Sequence, residues 1–108
     1  MKQSDILVKF PGETMPHFIA KAVLFYLLGK LKHELRTEWR VPNGFVDIVD
    51  LTTQTIYEIE FGISKAYRER KIDQYRMAGF EIIVIDCSKL STDINEMAVY
   101  LEQYIVPD

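Results

Sequence analysis

Cysteine is almost absent from this chain: Cys87 stands alone among 108 residues. One thiol can close no internal disulfide and build no thiolate metal cluster, so a reducing, cytoplasmic setting is expected. Cys87 follows an apolar stretch and reads as a small buried side chain. The sequence also lacks zinc-ligand spacing, a glycine-rich phosphate loop and a nucleophile elbow, which sets those enzyme classes aside. Long apolar runs are missing too. The longest, Ala22 to Leu28, is far too short to span a bilayer, and Met1-Lys2-Gln3-Ser4-Asp5 shows no secretory signal. No membrane association is expected. The net charge of −3 argues against indiscriminate binding of nucleic acid.

What the chain does contain is a modest core and an uneven distribution of charge. Apolar residues make up 48% and charged ones 27%, as in a soluble globular protein, and the length supports one domain over residues 1–108. Between Ser64 and Arg76, Lys65, Arg68, Arg70, Lys71 and Arg76 outnumber Glu69 and Asp73 to give +3, leaving −6 elsewhere. Such polarity suits a basic helix that meets phosphate beside an acidic site that holds metal. It equally describes a solvated helix whose charges pair at helical spacing.

Thr14 can cap a helix with Pro16 in its first turn, running to about Leu35. Its segment Ala22 to Leu28 is apolar around almost the whole circumference, which predicts burial on more than one side or a role in a dimer interface. Strands follow at Thr37–Val41, Phe45–Leu51 and Thr55–Phe61, with a turn at Pro42-Asn43-Gly44. Ser64 opens the basic helix, and Gly79 ends it. Phe80 to Asp86 is an apolar, β-branched run that reads as a central strand reached by a crossover, hence parallel to a neighbour. A last helix starts after Asp93, with Asp93 and Glu96 spaced as a capping box and Ile94, Met97, Ala98, Leu101 and Ile105 facing inward. The first dozen residues read as an arm or an extra edge strand. The expected fold is an α/β sandwich.

The most informative residues are the acids. On the third strand, Glu58 and Glu60 share one face while Tyr57, Ile59 and Phe61 share the other. Two adjacent carboxylates repel one another unless a cation sits between them. A divalent metal is one such cation, and Asp47 on the neighbouring strand could complete an all-oxygen site suited to Mg²⁺ or Mn²⁺. The plain alternative is ordinary alternation on the wet face of a sheet. Asp47, however, lies within an apolar strand, where an unpaired carboxylate is costly. Strand parity puts Asp50 opposite Asp47, in a structural role.

This order of elements and acids resembles the PD-(D/E)XK, or restriction-endonuclease-like, nuclease superfamily over roughly residues 14–90. The resemblance implies an αβββαβ core with a mixed sheet flanked by helices, here with an extra C-terminal helix. Asp47 matches the acid of the family's second strand, and Glu58 matches the first acid of its third. By that resemblance their carboxylates and the backbone carbonyl of Ile59 bind the catalytic Mg²⁺ or Mn²⁺. Glu60 stands where the family usually has lysine. Some members carry an acid there, and in others the lysine has moved to the next helix. Lys71 is the candidate, because Lys71-Ile72-Asp73-Gln74-Tyr75 resembles a helix motif in which lysine or glutamine faces the site.

The implied activity is metal-dependent hydrolysis of DNA phosphodiester bonds, by a homodimer or a small accessory subunit beside a partner. Asp47 and Glu58 are then metal ligands, and Glu60 is a further ligand or the general base. Lys71 supplies charge to the scissile phosphate or orients the water. Lys65, Arg68 and Lys71 hold the DNA backbone. His17, Glu38 and Gln74 are accessory candidates. Tyr67 and Tyr75 flank the basic residues and are expected to pack against the sheet, while His33 and Trp39 carry no signal. The alternative function is a catalytically silent nuclease-fold module that binds DNA or a protein, with Glu60 in the lysine position as its support.

Overall fold

The computed structural model describes residues 7–9, 11–42 and 44–105. The elements run α1 (Met15–Gly29), β1 (Leu35–Val41), β2 (Gly44–Asp50), β3 (Thr55–Glu60), α2 (Lys65–Met77), β4 (Glu81–Asp86) and α3 (Ile94–Glu102). The four strands form one sheet in sequence order. β1, β2 and β3 pair antiparallel as a meander, and α2 carries the chain across so that β4 pairs parallel with β3. The architecture is therefore α/β with a mixed sheet. Among the described residues no helix is long and apolar enough to cross a membrane.

Two apolar layers hold the helices on opposite faces of the sheet. Ala20, Leu24, Leu27 and Leu28 of α1 and Leu101 of α3 pack with Leu35, Ile48, Tyr57, Ile59 and Ile85. On the other face Tyr75 of α2 packs with Val46, Val49, Ile56, Ile82 and Val84. β4 is buried on both faces because its alternate residues serve both layers. Each fully buried aliphatic side chain contributes roughly 1.5–3 kcal/mol, which makes these two layers the main source of stability.

Local signals set the helix ends. The Thr14 hydroxyl accepts from the His17 N–H (3.4 Å), and the Ser64 hydroxyl from the Tyr67 N–H (3.1 Å). α2 closes with N–H groups of Gly79 and Phe80 donating to the carbonyls of Arg76 and Tyr75, at 3.0 and 3.1 Å. Gly79 supplies the left-handed conformation that this Schellman closure requires, with φ of 89°. Asp93 accepts from the Glu96 N–H, but the return half of a capping box is relayed: the Asp93 N–H donates to Ser91 Oγ, which donates to Glu96.

Four expectations need correcting. Phe80 to Asp86 does not give a central strand: β4 pairs parallel with β3, as expected of a crossover, but stands at the end of the four-stranded sheet. α1 ends at Gly29, not near Leu35, because His33 pairs with Asp50 and the Glu34 N–H donates to Thr52 Oγ1, pulling this stretch toward the β2–β3 turn. Lys32 reverses the chain between α1 and β1 with φ of 59°. Ile94 is 56% exposed rather than inward-facing. Residues 7–9 form no strand, although the Val8 N–H donates to Thr37 Oγ1, and residues 11 and 12 form a turn; residues 1–6 and 10 of the expected arm lie outside the described residues.

Candidate functional site

The sheet loses its regularity at Asp47. In a regular strand Val46 and Ile48 share a face, yet Val46 packs on the α2 side and Ile48 on the α1 side. Across from Asp47, Glu38 in β1 has a φ of 49°, a conformation rarely adopted by a non-glycine residue and costing of order 1–3 kcal/mol. β2 and β3 pair regularly only from Ile48–Tyr57 to Asp50–Thr55. Beyond that point side chains replace the ladder: the Asp47 N–H donates to Glu58 Oε2 (2.8 Å), and the Ile59 N–H donates to Asp47 Oδ2 (2.7 Å). The two carboxylates and the Ile59 backbone are thus gathered where the strands part.

Cations from both neighbouring helices enter this gap. Lys71 Nζ lies 3.0 Å from Glu58 and 2.7 Å from Glu60, so the cation between the two acids of β3 is an ammonium from α2. Tyr67 packs on that ammonium at 5.3 Å, and its hydroxyl lies 3.2 Å from it. From the opposite side His17 of α1 sets Nε2 at 3.3 Å from Asp47 Oδ2 and 3.2 Å from the Ile59 carbonyl oxygen. Its Nδ1 bonds Glu13.

Charge and burial together set the proton affinities. The hydrogen bond to Asp47 is the largest influence on His17 and, despite burial, it raises the imidazole to about 9. It is therefore an imidazolium at neutral pH, donating through both nitrogens. Burial alone would raise Asp47, but the bond and charge of His17 outweigh it and hold that carboxyl below its ordinary value. Glu58 goes the other way, pushed up to about 8 by burial and then by the charge of Asp47, even with Lys71 beside it. Burial would lower Lys71, yet Glu58 and Glu60 hold its ammonium more firmly protonated than usual.

A second charged cluster supports the first. Lys21 of α1 is fully buried, and its ammonium donates to Glu13 (2.8 Å), Glu38 (2.6 Å) and the Val8 carbonyl (2.6 Å). Glu13 therefore links Lys21 to His17, and so to Asp47. Burial raises the Glu38 carboxyl in spite of Lys21. Glu13, His17, Glu38 and Asp47 border an open pocket of about 370 Å³ between the start of α1 and the end of β3.

The structure thus brings Asp47, Glu58, the Ile59 carbonyl, His17, Glu60 and Lys71 together, with Glu38 one pair further along. It does not make Glu60 part of a carboxylate trio: among the described residues no three His, Cys, Asp or Glu side chains are placed to hold a metal ion. Gln74 is exposed and lines a separate groove beside Trp39 and Phe80, not the pocket that Asp47 borders. Lys65 is 89% exposed and 4.0 Å from Glu69, while Arg68 is half-buried. Asp50 is buried, as a structural residue should be, and holds His33 and the N–H groups of Thr52 and Thr53. Strand alternation does not relate it to Asp47, because the alternation breaks there.

Glu13 and Lys21 were missed by sequence reasoning. The signal was present for Lys21, a charge three and seven residues before Leu24 and Leu28 on the buried stripe of α1. No protein-family model matches the chain, nor does any curated protein or solved structure.

The donor set can be tested against a hard divalent ion. Mg²⁺ is held through one or two carboxylates and keeps several waters. Asp47 and Glu58 are two, and the Ile59 carbonyl is a third oxygen. Asp47 Oδ2 and Glu58 Oε2 already accept backbone N–H groups, which fixes the orientation of both carboxylates. The three oxygens are of the kind such an ion takes, but it would have to displace His17 from Asp47 and the Ile59 carbonyl and compete with Lys71 for Glu58.

Proposed function

We propose that this chain is a metal-dependent phosphodiester hydrolase acting on DNA, with a restriction-endonuclease-like fold. The observation that supports this most is the meeting of Asp47, Glu58 and the Ile59 carbonyl in a parted strand pair, with Lys71 delivered from α2 to the position beside Glu60. An ordinary wet sheet face gives no reason for β2 and β3 to part at these acids, or for Glu58 to be 4% exposed.

In this reading Asp47, Glu58 and the Ile59 carbonyl hold Mg²⁺ or Mn²⁺. When bound, the ion supplies a water of lowered pKa and charge to offset the negative charge growing on the phosphate. Lys71 presents its ammonium to a non-bridging phosphate oxygen, and Glu60 keeps that ammonium in position. Glu60, already occupied by Lys71, serves as the lysine's anchor in preference to a metal ligand. His17 holds Asp47 and the Ile59 carbonyl through the oxygens the ion would take, and gives them up when the ion binds. Lys65 and Arg68, at the start of α2, contact flanking phosphates without reading sequence. One small domain covers less surface than a duplex interface usually buries, so the chain works as a homodimer or beside a partner.

A second reading has its own observation. His17 and Lys71 already neutralise Asp47, Glu58 and Glu60, as in a nuclease fold that has become a silent binding module. Cleavage of labelled duplex, single-stranded, forked and four-way DNA with Mg²⁺, Mn²⁺ or EDTA separates the two. The hydrolase reading expects metal-dependent cutting that Asp47→Ala and Glu58→Ala both abolish while remaining folded. Absence of cutting on every substrate would leave the silent module.

A further inference from the structure

The sequence contains a single tryptophan, Trp39, and it forms one wall of a second concavity on the α2 side of the sheet. This groove holds about 360 Å³, within the range of small-ligand sites. Trp39 and Phe80 meet edge to face at 5.5 Å, and Tyr75, 7% exposed, lies against them. The Schellman closure of α2 fixes this arrangement, because it folds Phe80 back over Tyr75. Arg40 and Gln74 stand exposed at the rim, and neither makes an ion pair or side-chain hydrogen bond among the described residues. The groove therefore combines aromatic faces, an uncommitted guanidinium and an uncommitted amide.

Its position relates it to the acids. Trp39 follows Glu38 in β1 and pairs with Val46, which precedes Asp47 in β2. Gln74 and Tyr75 lie one helical turn beyond Lys71, about 5.4 Å along the axis. Lys71, which holds Glu58, and Tyr75, which lines the groove, thus lie on successive turns of the same helix. Lys65, Arg68 and Lys71 follow at three-residue spacing along α2, and Arg40 of β1 stands at the groove beyond them.

Resting on the reading of the site as a phosphodiester hydrolase, we infer that the Trp39–Tyr75–Phe80 groove receives an unpaired nucleobase next to the scissile phosphate, so that the substrate is a strand with unstacked bases. Trp39 and Phe80 supply stacking surface, which every base can use. Gln74 offers a donor and an acceptor to the base edge, and Arg40 pairs with the adjoining phosphate. A fully stacked duplex presents no free base to this groove.

The lone tryptophan is also the reporter. Trp39 emission is titrated in EDTA with short oligothymidylate, with an abasic strand of equal length and with blunt duplex. Saturable quenching by oligothymidylate alone is expected, and the abasic strand should bind at least about fivefold more weakly. Followed by anisotropy of labelled strands, Trp39→Leu and Gln74→Ala should each weaken oligothymidylate binding, Trp39→Leu by about tenfold, and leave the abasic strand unaffected. Circular dichroism checks that both variants are folded. Equal binding of the abasic strand, or a change in Trp39 emission on raising protein concentration without DNA, overturns the inference; the latter would put a second copy in the groove. Because no metal is present, base-dependent quenching without any cleavage in Mg²⁺ would instead count against the hydrolase reading.

Discussion

Replacing Lys71 with methionine keeps most of the unbranched side chain and removes the cation that sits between Glu58 and Glu60. Two costs follow. The first is the loss of hydrogen bonds from an ammonium that is 16% exposed, about 1 kcal/mol and present at every pH. The second depends on pH. Wild-type Glu58 gives up its proton near its raised value of about 8, whereas without Lys71 it holds the proton to higher pH. A carboxyl whose folded pKa is raised loses its contribution to stability as pH rises through that pKa. Above about pH 8 the variant keeps a proton that wild type releases, and each further unit adds about 1.36 kcal/mol. Near pH 9.5 this second cost reaches about 2 kcal/mol. For a domain of this size about 1 kcal/mol moves Tm by roughly 4–8 °C. Thermal unfolding followed by circular dichroism should therefore show a loss of about 5 °C near pH 6 and roughly 15 °C near pH 9.5. An equal loss at both pH values would refute the reasoning, because Lys71 would then act through packing alone.

Other expectations come from the same network. His17, raised to about 9, stabilises fully below its unfolded value of 6.5 and loses that contribution between 6.5 and 9. His17→Gln should therefore flatten the pH dependence of urea unfolding in that window, removing at most about 3 kcal/mol of variation. Lys21→Met strands Glu38 and takes one cation from Glu13, whose side chains are 12% and 4% exposed, and should cost about 3–5 kcal/mol in urea unfolding near neutral pH. Asp50→Ala leaves His33 and the Thr52 and Thr53 N–H groups without their acceptor; a loss of roughly 2–4 kcal/mol, with faster amide exchange at the β2–β3 turn, is expected. Glu58 must shed its proton to bind a cation, so Mn²⁺ affinity should rise steeply from about pH 6 to pH 8, and titration calorimetry in buffers of different ionisation enthalpy should show proton release.

The elements were legible because their signals are local. Thr14 and Ser64 cap helices through their own hydroxyls, Gly79 has the left-handed conformation its position demands, and β4, although it ends the sheet, is apolar on both faces because a helix layer packs on each. The alternation of Glu58 and Glu60 against Tyr57 and Ile59 likewise survives folding, and it brings both acids to Lys71. What escaped depends on contacts distant in sequence. The end of α1 is fixed by His33 meeting Asp50, and neither residue advertises the other. The break at Asp47 needs Glu38, Glu58 and the Ile59 backbone at once, so period-two reasoning passes straight through it. Lys21 read as one more residue on a helix, although its place among buried leucines required partners of opposite charge. Trp39 showed no pattern because its role depends on Phe80, which the turn after α2 brings back.

The central claim is that the gap between β2 and β3 is a divalent-cation site. Electron paramagnetic resonance of Mn²⁺ titrated into the protein near pH 8 tests it without reference to any substrate. The account predicts one bound Mn²⁺ per chain, displaced by excess Mg²⁺ and lost in both Asp47→Asn and Glu58→Gln while each variant remains folded. Free Mn²⁺ signal throughout the wild-type titration, or binding that survives both substitutions, would contradict it.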